Sequence, residues 1–374
     1  MATSLAFPSI ETLQSARSKG WCAMAKVKIS DVAREAGVSL GTVSNALNHP
    51  DKVRPETLER INDAIARMGF VPNQGARQLA GGASQMLGLV LPRLDHAFSL
   101  QIANGAQDEA RMNGYDLLIA SAGNDDILEN HYMRYFLGAQ VAGVLVQPMA
   151  GRSWKPPLES TPIPTVYLDV HCKEPGNFIA PDNEAQGRLM LEHAISCGAK
   201  RIGVAGEASF TQLMLRVRGI CDAAREAGIE VELVGRGEWN TVADGFELGR
   251  ELAARAKEDR PDFVIGLTDV LAAGIIEGLV NGGVSVPDDI LVAGCDGNTL
   301  AWSGSVPLTT IASPGEEIGR RGVRFLLRII AGEEQQDVNQ EMLAPMLLVP
   351  ASTATTKADK ANAEQPELDL AEYL

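Results

Sequence analysis

This chain of 374 residues is poor in cysteine, histidine and aromatic residues, and the first two scarcities each close off a class of function. Its five cysteines, Cys22, Cys172, Cys197, Cys221 and Cys295, are scattered, odd in number and never spaced as CxxC. That pattern supports neither a disulfide framework nor a zinc site, and a reducing cytoplasm is its simplest setting. The five histidines, His49, His96, His131, His171 and His193, form no HExxH and no paired ligand spacing, so no metal is expected. No strand-to-helix turn carries GxGxxG, a phosphate-loop pattern ending in GKS or GKT, or GxSxG. No cofactor is therefore expected, and the chain is read as a non-enzyme. No apolar run reaches the roughly 18 residues of a membrane span. Residues 1–24 also lack the basic start and continuous apolar centre of a secretion signal.

What is present is an ordinary globular composition, 45% hydrophobic and 22% charged, at a length suited to about two or three domains. The net charge of −15 is unevenly spread. Between Lys26 and Gly82, eight basic residues stand against six acidic ones, a balance of +2 that leaves −17 for the rest. A small, weakly basic module joined to a large acidic body suits a nucleic-acid reader attached to something with another task. Residues 1–25 read as a flexible extension, with Met24 a possible alternative start, and residues 357–374 as a disordered acidic tail.

The basic module, residues 26–70, reads as three helices. Ile29, Val32, Ala33 and Ala36 recur at three- and four-residue spacing and share one helix face. Gly37 then permits a reversal with positive φ. Ser39 suits the N-cap of a second helix, whose apolar face is Val43, Ala46 and Leu47. Thr42, Ser44 and Asn45 fall on its other sides. Two short helices at a sharp turn, the second opening with small polar residues, describe a helix-turn-helix, although any helical corner could look similar. Pro55 starts a third helix whose Leu58, Ile61, Ile65 and Met68 can cover the first two. Residues 71–82 read either as a plain linker or as a hinge that becomes helical on binding, being too short for a stable isolated helix.

From Gln85 onward, apolar strands alternate with helices. Strands are expected at Met86–Leu91, Tyr115–Ala120, Gly143–Gln147, Thr165–Asp169, Arg201–Ala205, Val231–Val234, Phe263–Leu267 and Ile290–Gly294. Helices are expected at Leu100–Asn113, Leu128–Leu137, Asn183–Cys197, Leu213–Ala227, Val242–Lys257 and Val270–Asn281. This alternation implies two doubly wound parallel-sheet subdomains of roughly a hundred residues each within residues 83–356. Ligands in such sheets sit beyond the carboxyl ends of the strands, so two facing sheets make a cleft.

Several stretches together resemble the LacI/GalR family of bacterial transcription regulators. They are Ser30–Ser44 (SDVAREAGVSLGTVS), Val71–Leu79 (VPNQGARQL), Asn113-Gly-Tyr115, Gly198–Gly203, Arg216–Gly219, Val286–Ile290, Gly294-Cys-Asp296, Pro307–Thr310 and Ser352-Thr353. The resemblance covers about Lys26 to Thr353. It implies a DNA-reading head, a hinge helix and a body like periplasmic sugar-binding proteins. It also implies a homodimer on a pseudo-palindromic operator, whose DNA affinity is set by a small molecule.

By that resemblance, Leu40, Gly41 and Asn45 read base edges, and Ser39, Thr42, Ser44, Asn48 and Lys52 hold phosphates. Many relatives carry Arg where this chain has Asn45. Asn pairs bidentately with adenine, whereas Arg favours guanine. Asn73 and Ala76 belong to the hinge helix, and Leu79 would wedge the minor groove. The same resemblance assigns Asp95, Phe98, Gln147, Asp169, Arg216, Trp239, Thr268 and Asp296 to the effector cleft. Arg216 would supply a fork of donors, Asp296 would accept adjacent hydroxyls, and Trp239 would stack on a sugar ring. A sugar or sugar derivative is the expected ligand, with a nucleobase or phosphorylated compound still open. Whether that ligand releases or promotes DNA binding is also open.

Overall fold

The computed structural model describes residues 27–71, 84–94, 96–123, 125–148, 163–172, 176–206, 208, 210–235, 241–297, 299–333 and 339–354. It contains two compact units, divided between Ala83 and Ser84.

The first unit is three helices: α1 (Ile29–Ala36), α2 (Leu40–Asn48) and α3 (Pro55–Met68). Its core is Val32, Ala33, Ala36, Val43, Ala46, Ile61, Ala64 and Phe70. Those apolar positions come mostly from the helical periodicity seen in the sequence. Gly37 ends α1 at φ 63°, and the Gly37 and Val38 amides return to the carbonyls of Arg34 and Ala33. This is the left-handed closure that a side chain would strain. Ser39 then caps α2 by accepting from the Thr42 amide at 3.1 Å. Arg54 precedes Pro55 without a side-chain cap, so α3 relies on its proline start.

The second unit holds two six-stranded sheets. In chain order it runs β1 (Met86–Leu91), α4 (Ala97–Met112), β2 (Asp116–Ser121), α5 (Asp126–Gly138), β3 (Gly143–Val146), β4 (Thr165–Leu168) and β5 (Asn177–Pro181). The next group is α6 (Asn183–Ser196), β6 (Ile202–Ala205), α7 (Thr211–Ala227), β7 (Val231–Val234), α8 (Val242–Ala254), β8 (Phe263–Gly266) and α9 (Asp269–Asn281). It ends with β9 (Leu291–Asp296), β10 (Thr309–Ala312), α10 (Gly315–Ile330), β11 (Asn339–Leu343) and β12 (Met346–Leu348). The first sheet has order β11-β5-β4-β3-β1-β2 and the second β12-β10-β9-β8-β6-β7. Every pairing is parallel except β10 with β12. β3 and β8 are buried along their whole length, as strands covered on both faces must be.

The two subdomains are not consecutive halves. The chain leaves the first sheet after β5, and α6 enters the second core through Met190, Leu191 and Ala194. It returns after β10, where α10 buries Ile318, Val323, Phe325 and Leu326 beside β1, α4 and β4. It crosses a third time from β11 to β12. The alternation read from the sequence stopped at Gly294 and so missed β10, α10, β11 and β12, along with β5. Several boundaries also move, most of all those of α4, which begins at Ala97 rather than Leu100, and α8, which ends at Ala254 rather than Lys257. Among the described residues no helix is long and apolar enough to cross a membrane.

Candidate effector cleft and nucleic-acid interface

The strand ends of the two sheets enclose a cavity of about 490 Å³, within the range of small-molecule sites. Its walls include Pro92, His96, Phe98, Gln147, Pro148 and Asp169 from the first subdomain. Phe210, Gln212, Leu213, Arg216, Thr241, Val242, Thr268, Val270 and Asp296 come from the second, and Arg93 joins from the loop after β1.

Arg216 is the central charge. It lies on α7 and is 5% exposed. Its Nη1 donates to Asp296 Oδ1 at 2.9 Å and to the Leu267 carbonyl at 2.6 Å, while Nε donates to Asn183 Oδ1 at 2.9 Å. Burial works against the guanidinium charge, yet Asp296, the last residue of β9, holds its pKa above the ordinary value. An ion pair this deep needs good geometry on both sides to offset desolvation. The backbone of α7 is fixed here by reciprocal glycines. A Cβ at Gly187 of α6 would collide with the Arg216 carbonyl, and one at Gly219 with the Glu184 carbonyl.

Asp169 follows β4 in a left-handed conformation, φ 58°. Gln147 Nε2 donates to its Oδ2 at 3.3 Å, and Gln212 Nε2 donates to its carbonyl at 2.8 Å. Burial pushes its carboxyl up to about 7, with Arg216 and the Gln147 hydrogen bond pulling the other way. Thr268 caps α9, accepting from the Leu271 amide at 3.2 Å, and also lines the cavity. The Asp269 carboxylate accepts from Thr310 Oγ1 at 2.5 Å and is not among the residues that line the cavity.

Phe98, Gln147, Asp169, Arg216, Thr268 and Asp296, six of the eight cleft residues expected from the sequence, thus meet at one cavity. Asp95 and Trp239 lie outside the described residues. The sequence reading missed Arg93, His96, Phe210 and Gln212. Gln212 stands four residues before Arg216, one turn along the same face of α7, and that spacing could have revealed it. Among the described residues no cluster of three or more metal-ligating side chains is placed to hold a metal.

In the helical unit, Ser39, Leu40, Gly41 and Asn45 are exposed near the start of α2, and Lys52 is exposed in the following turn. Leu40 is 52% exposed. Thr42 and Ser44 are partly buried. Thr42 Oγ1 shares a 2.8 Å hydrogen bond with Ser39 Oγ, so its hydroxyl also serves the cap. Asn48 closes α2; its side chain, like Asn73, Ala76 and Leu79 as whole residues, lies outside what is described.

A helix-turn-helix unit followed by a two-lobed, cleft-bearing body defines a transcription regulator with a ligand-binding domain. The family model "Bacterial regulatory proteins, lacI family" matches residues 28–73, and "Periplasmic binding protein-like domain" matches residues 191–353. The ribose operon repressor of Bacillus subtilis (strain 168) is 30% identical over 308 residues, 81% of this chain and 91% of that protein. The HTH-type transcriptional repressor PurR of Mannheimia succiniciproducens is 30% identical over 313 residues, 82% of this chain and 92% of that protein. Among solved structures, the Lac repressor dimer bound to operator and the anti-inducer ONPF superposes with a TM-score of 0.74. It is 26% identical, covering 87% of this chain and 99% of that one. The transcriptional regulator CelR in complex with cellobiose gives a TM-score of 0.62 at 28% identity, covering 87% and 99%. The chain belongs to the LacI family of bacterial transcription regulators.

Proposed function

We propose that this protein is a cytoplasmic repressor, without enzymatic activity, whose homodimer binds a pseudo-palindromic operator and is controlled by a sugar or sugar derivative in the cleft. The observation that carries this reading is the buried Arg216–Asp296 pair at the wall of a 490 Å³ cavity. A guanidinium fork, acidic acceptors and the apolar faces of Phe98 and Phe210 are the groups a sugar ring needs. In the helical unit, Leu40, Gly41 and Asn45 meet base edges, while Ser39, Thr42, Ser44, Asn48 and Lys52 hold the phosphates. Asn73, Ala76 and Leu79 are the hinge contacts of the same reading. Asp95 and Trp239 complete the cleft in it.

The test is selection of bound sequences from random duplex DNA by the full-length protein. An enriched near-palindrome is expected, with A·T at the position read by Asn45. Absence of any enriched palindrome would overturn the reading. On that operator, Arg216→Lys should retain DNA affinity while losing the shift produced by an active sugar. A retained shift would remove Arg216 from the effector site.

A further inference from the structure

Three side chains on three segments form a chain of hydrogen bonds behind the cleft. Arg216 Nε donates to Asn183 Oδ1 at 2.9 Å, and Asn183 Nδ2 lies 3.0 Å from His171 Nε2. His171 follows β4 of the first sheet. Asn183 opens α6 at the first crossing, and Arg216 belongs to α7 of the second subdomain. Asn183 is fully buried. None of the cavity's lining atoms comes from His171 or Asn183.

The chemistry of the donors leaves one arrangement. A guanidinium can only donate, so the oxygen of the Asn183 amide must face Arg216. The amide nitrogen, which also only donates, must then face His171. Its partner, His171 Nε2, must carry a lone pair and not a proton. From this we infer that His171 and Asn183 are a positioning relay that orients Arg216 toward the effector, and that the relay works only with His171 neutral in its Nδ1–H tautomer. The inference rests on the proposal that Arg216 grips the effector, but the relay can be tested without any effector.

Protonation of His171 would turn Nε2 into a donor opposed to the Asn183 amide. Two donors cannot share one hydrogen bond, so the amide would rotate and present its NH2 to Arg216. The surroundings bear on this directly. Burial holds the His171 pKa below the ordinary value, and the Arg216 charge acts in the same direction. The Pro181 carbonyl and Asp182, the N-cap of α6, oppose it. Asp169 stands two residues earlier, and Asp296 pairs with Arg216 on the far side. The Pro181 carbonyl takes Asn183 Nδ2 at 3.3 Å and is the acceptor for which a protonated ring would compete. Cleft affinity should therefore decline as the solution becomes acidic enough to protonate His171.

The experiment is nitrogen NMR of the full-length protein with labelled histidine and arginine. At slightly alkaline pH, His171 should show Nδ1–H and an unprotonated, hydrogen-bonded Nε2. An Nε2–H tautomer donating to Pro181 would overturn the relay. Asn183→Asp, which replaces the donor with an acceptor, should switch the ring to Nε2–H and raise its pKa. An unchanged tautomer in a folded Asn183→Asp protein would also overturn it. His171→Leu tests the same link from the other end and leaves the first helical turn of α6 intact. Arg216 Nε–H should then exchange with solvent about tenfold faster, the equivalent of one ordinary hydrogen bond. Unchanged exchange would mean that His171 does not hold Arg216. An effector response that survives a confirmed relay defect would count against the role of Arg216, not against the relay.

Discussion

Asn45 and Lys52 are both exposed polar residues of the helical unit, yet their chemistry separates their proposed roles. A bidentate amide distinguishes one base pair from another, whereas an ammonium meets any phosphate. Asn45→Ala should therefore relax specificity at one operator position, at about 1–3 kcal/mol for the preferred base. Lys52→Ala should weaken every duplex alike and flatten the salt dependence by about one counterion. Binding to a panel of single-base operator variants at several salt concentrations checks both. Asp169 offers a second residue-scale expectation. Its carboxyl is raised from 3.8 to about 7, so between those values the folded chain keeps a proton that the unfolded chain has released. Its contribution to stability falls as pH rises through that window, and above it the charged form carries the full cost. His171, with a lowered pKa, acts in the opposite sense below its ordinary value of 6.5. Asp169→Asn should melt about 2 °C or more above the parent at about pH 8 and converge with it at about pH 5. Thermal melts across pH read this out, and a constant offset would mean that Asp169 does not titrate there.

At the scale of elements, the pairing of α6 with α7 sets the cleft. Gly187 and Gly219 let the two helix backbones touch, and the Arg216 carbonyl sits at that contact. Gly219→Ala would force α7 away from Glu184. It should cost about 1–3 kcal/mol, the usual price of overpacking, and should blunt the effector response through displacement of Arg216. Urea unfolding followed by an operator-binding assay separates the two effects. Such contacts explain what the sequence could and could not disclose. The apolar periodicity of α1, α2 and α3 and the capping oxygen of Ser39 are local features, and the elements formed where they pointed. Arg216 and Asp296 are 80 residues apart in the chain, and they were matched through family resemblance, since no spacing rule joins them. Gln212 is legible from its one-turn offset before Arg216 on α7. The His171–Asn183 link was not legible, because it depends on where the chain crosses between sheets. α10 carries a strongly amphipathic pattern, so its helix could have been read; its membership in the first core could not.

At the scale of the whole molecule, the proposed control of operator binding by a cleft ligand is a coupling between two sites, and linkage makes their influence reciprocal. If an effector changes operator affinity by some factor, the operator must change effector affinity by the same factor. Titrating each ligand in the presence and absence of the other should return one coupling constant, of about 1–3 kcal/mol in typical cases. Unequal factors would mean that the cleft ligand acts elsewhere than on this equilibrium. The acidic remainder of the chain, near −17 against +2 for residues 26–82, also repels DNA phosphates and should confine attraction to the helical unit.

The three crossings between sheets bear on the order in which the protein can be made. The first sheet begins at Met86 but receives its last strand only at Asn339–Leu343, after nearly all of the second has been synthesised. α10, which covers the β1–β4 face, likewise arrives only after β10. On the ribosome neither lobe can close before the other is almost complete, so the usual sequence of one domain folding before the next does not apply here. A nascent chain halted at about residue 300 should expose the apolar surface of Leu87, Leu145 and Leu168 and remain open to protease and chaperone. Adding the final segment should protect both lobes in a single step. Limited proteolysis of stalled chains of increasing length would show that step as one late transition rather than two.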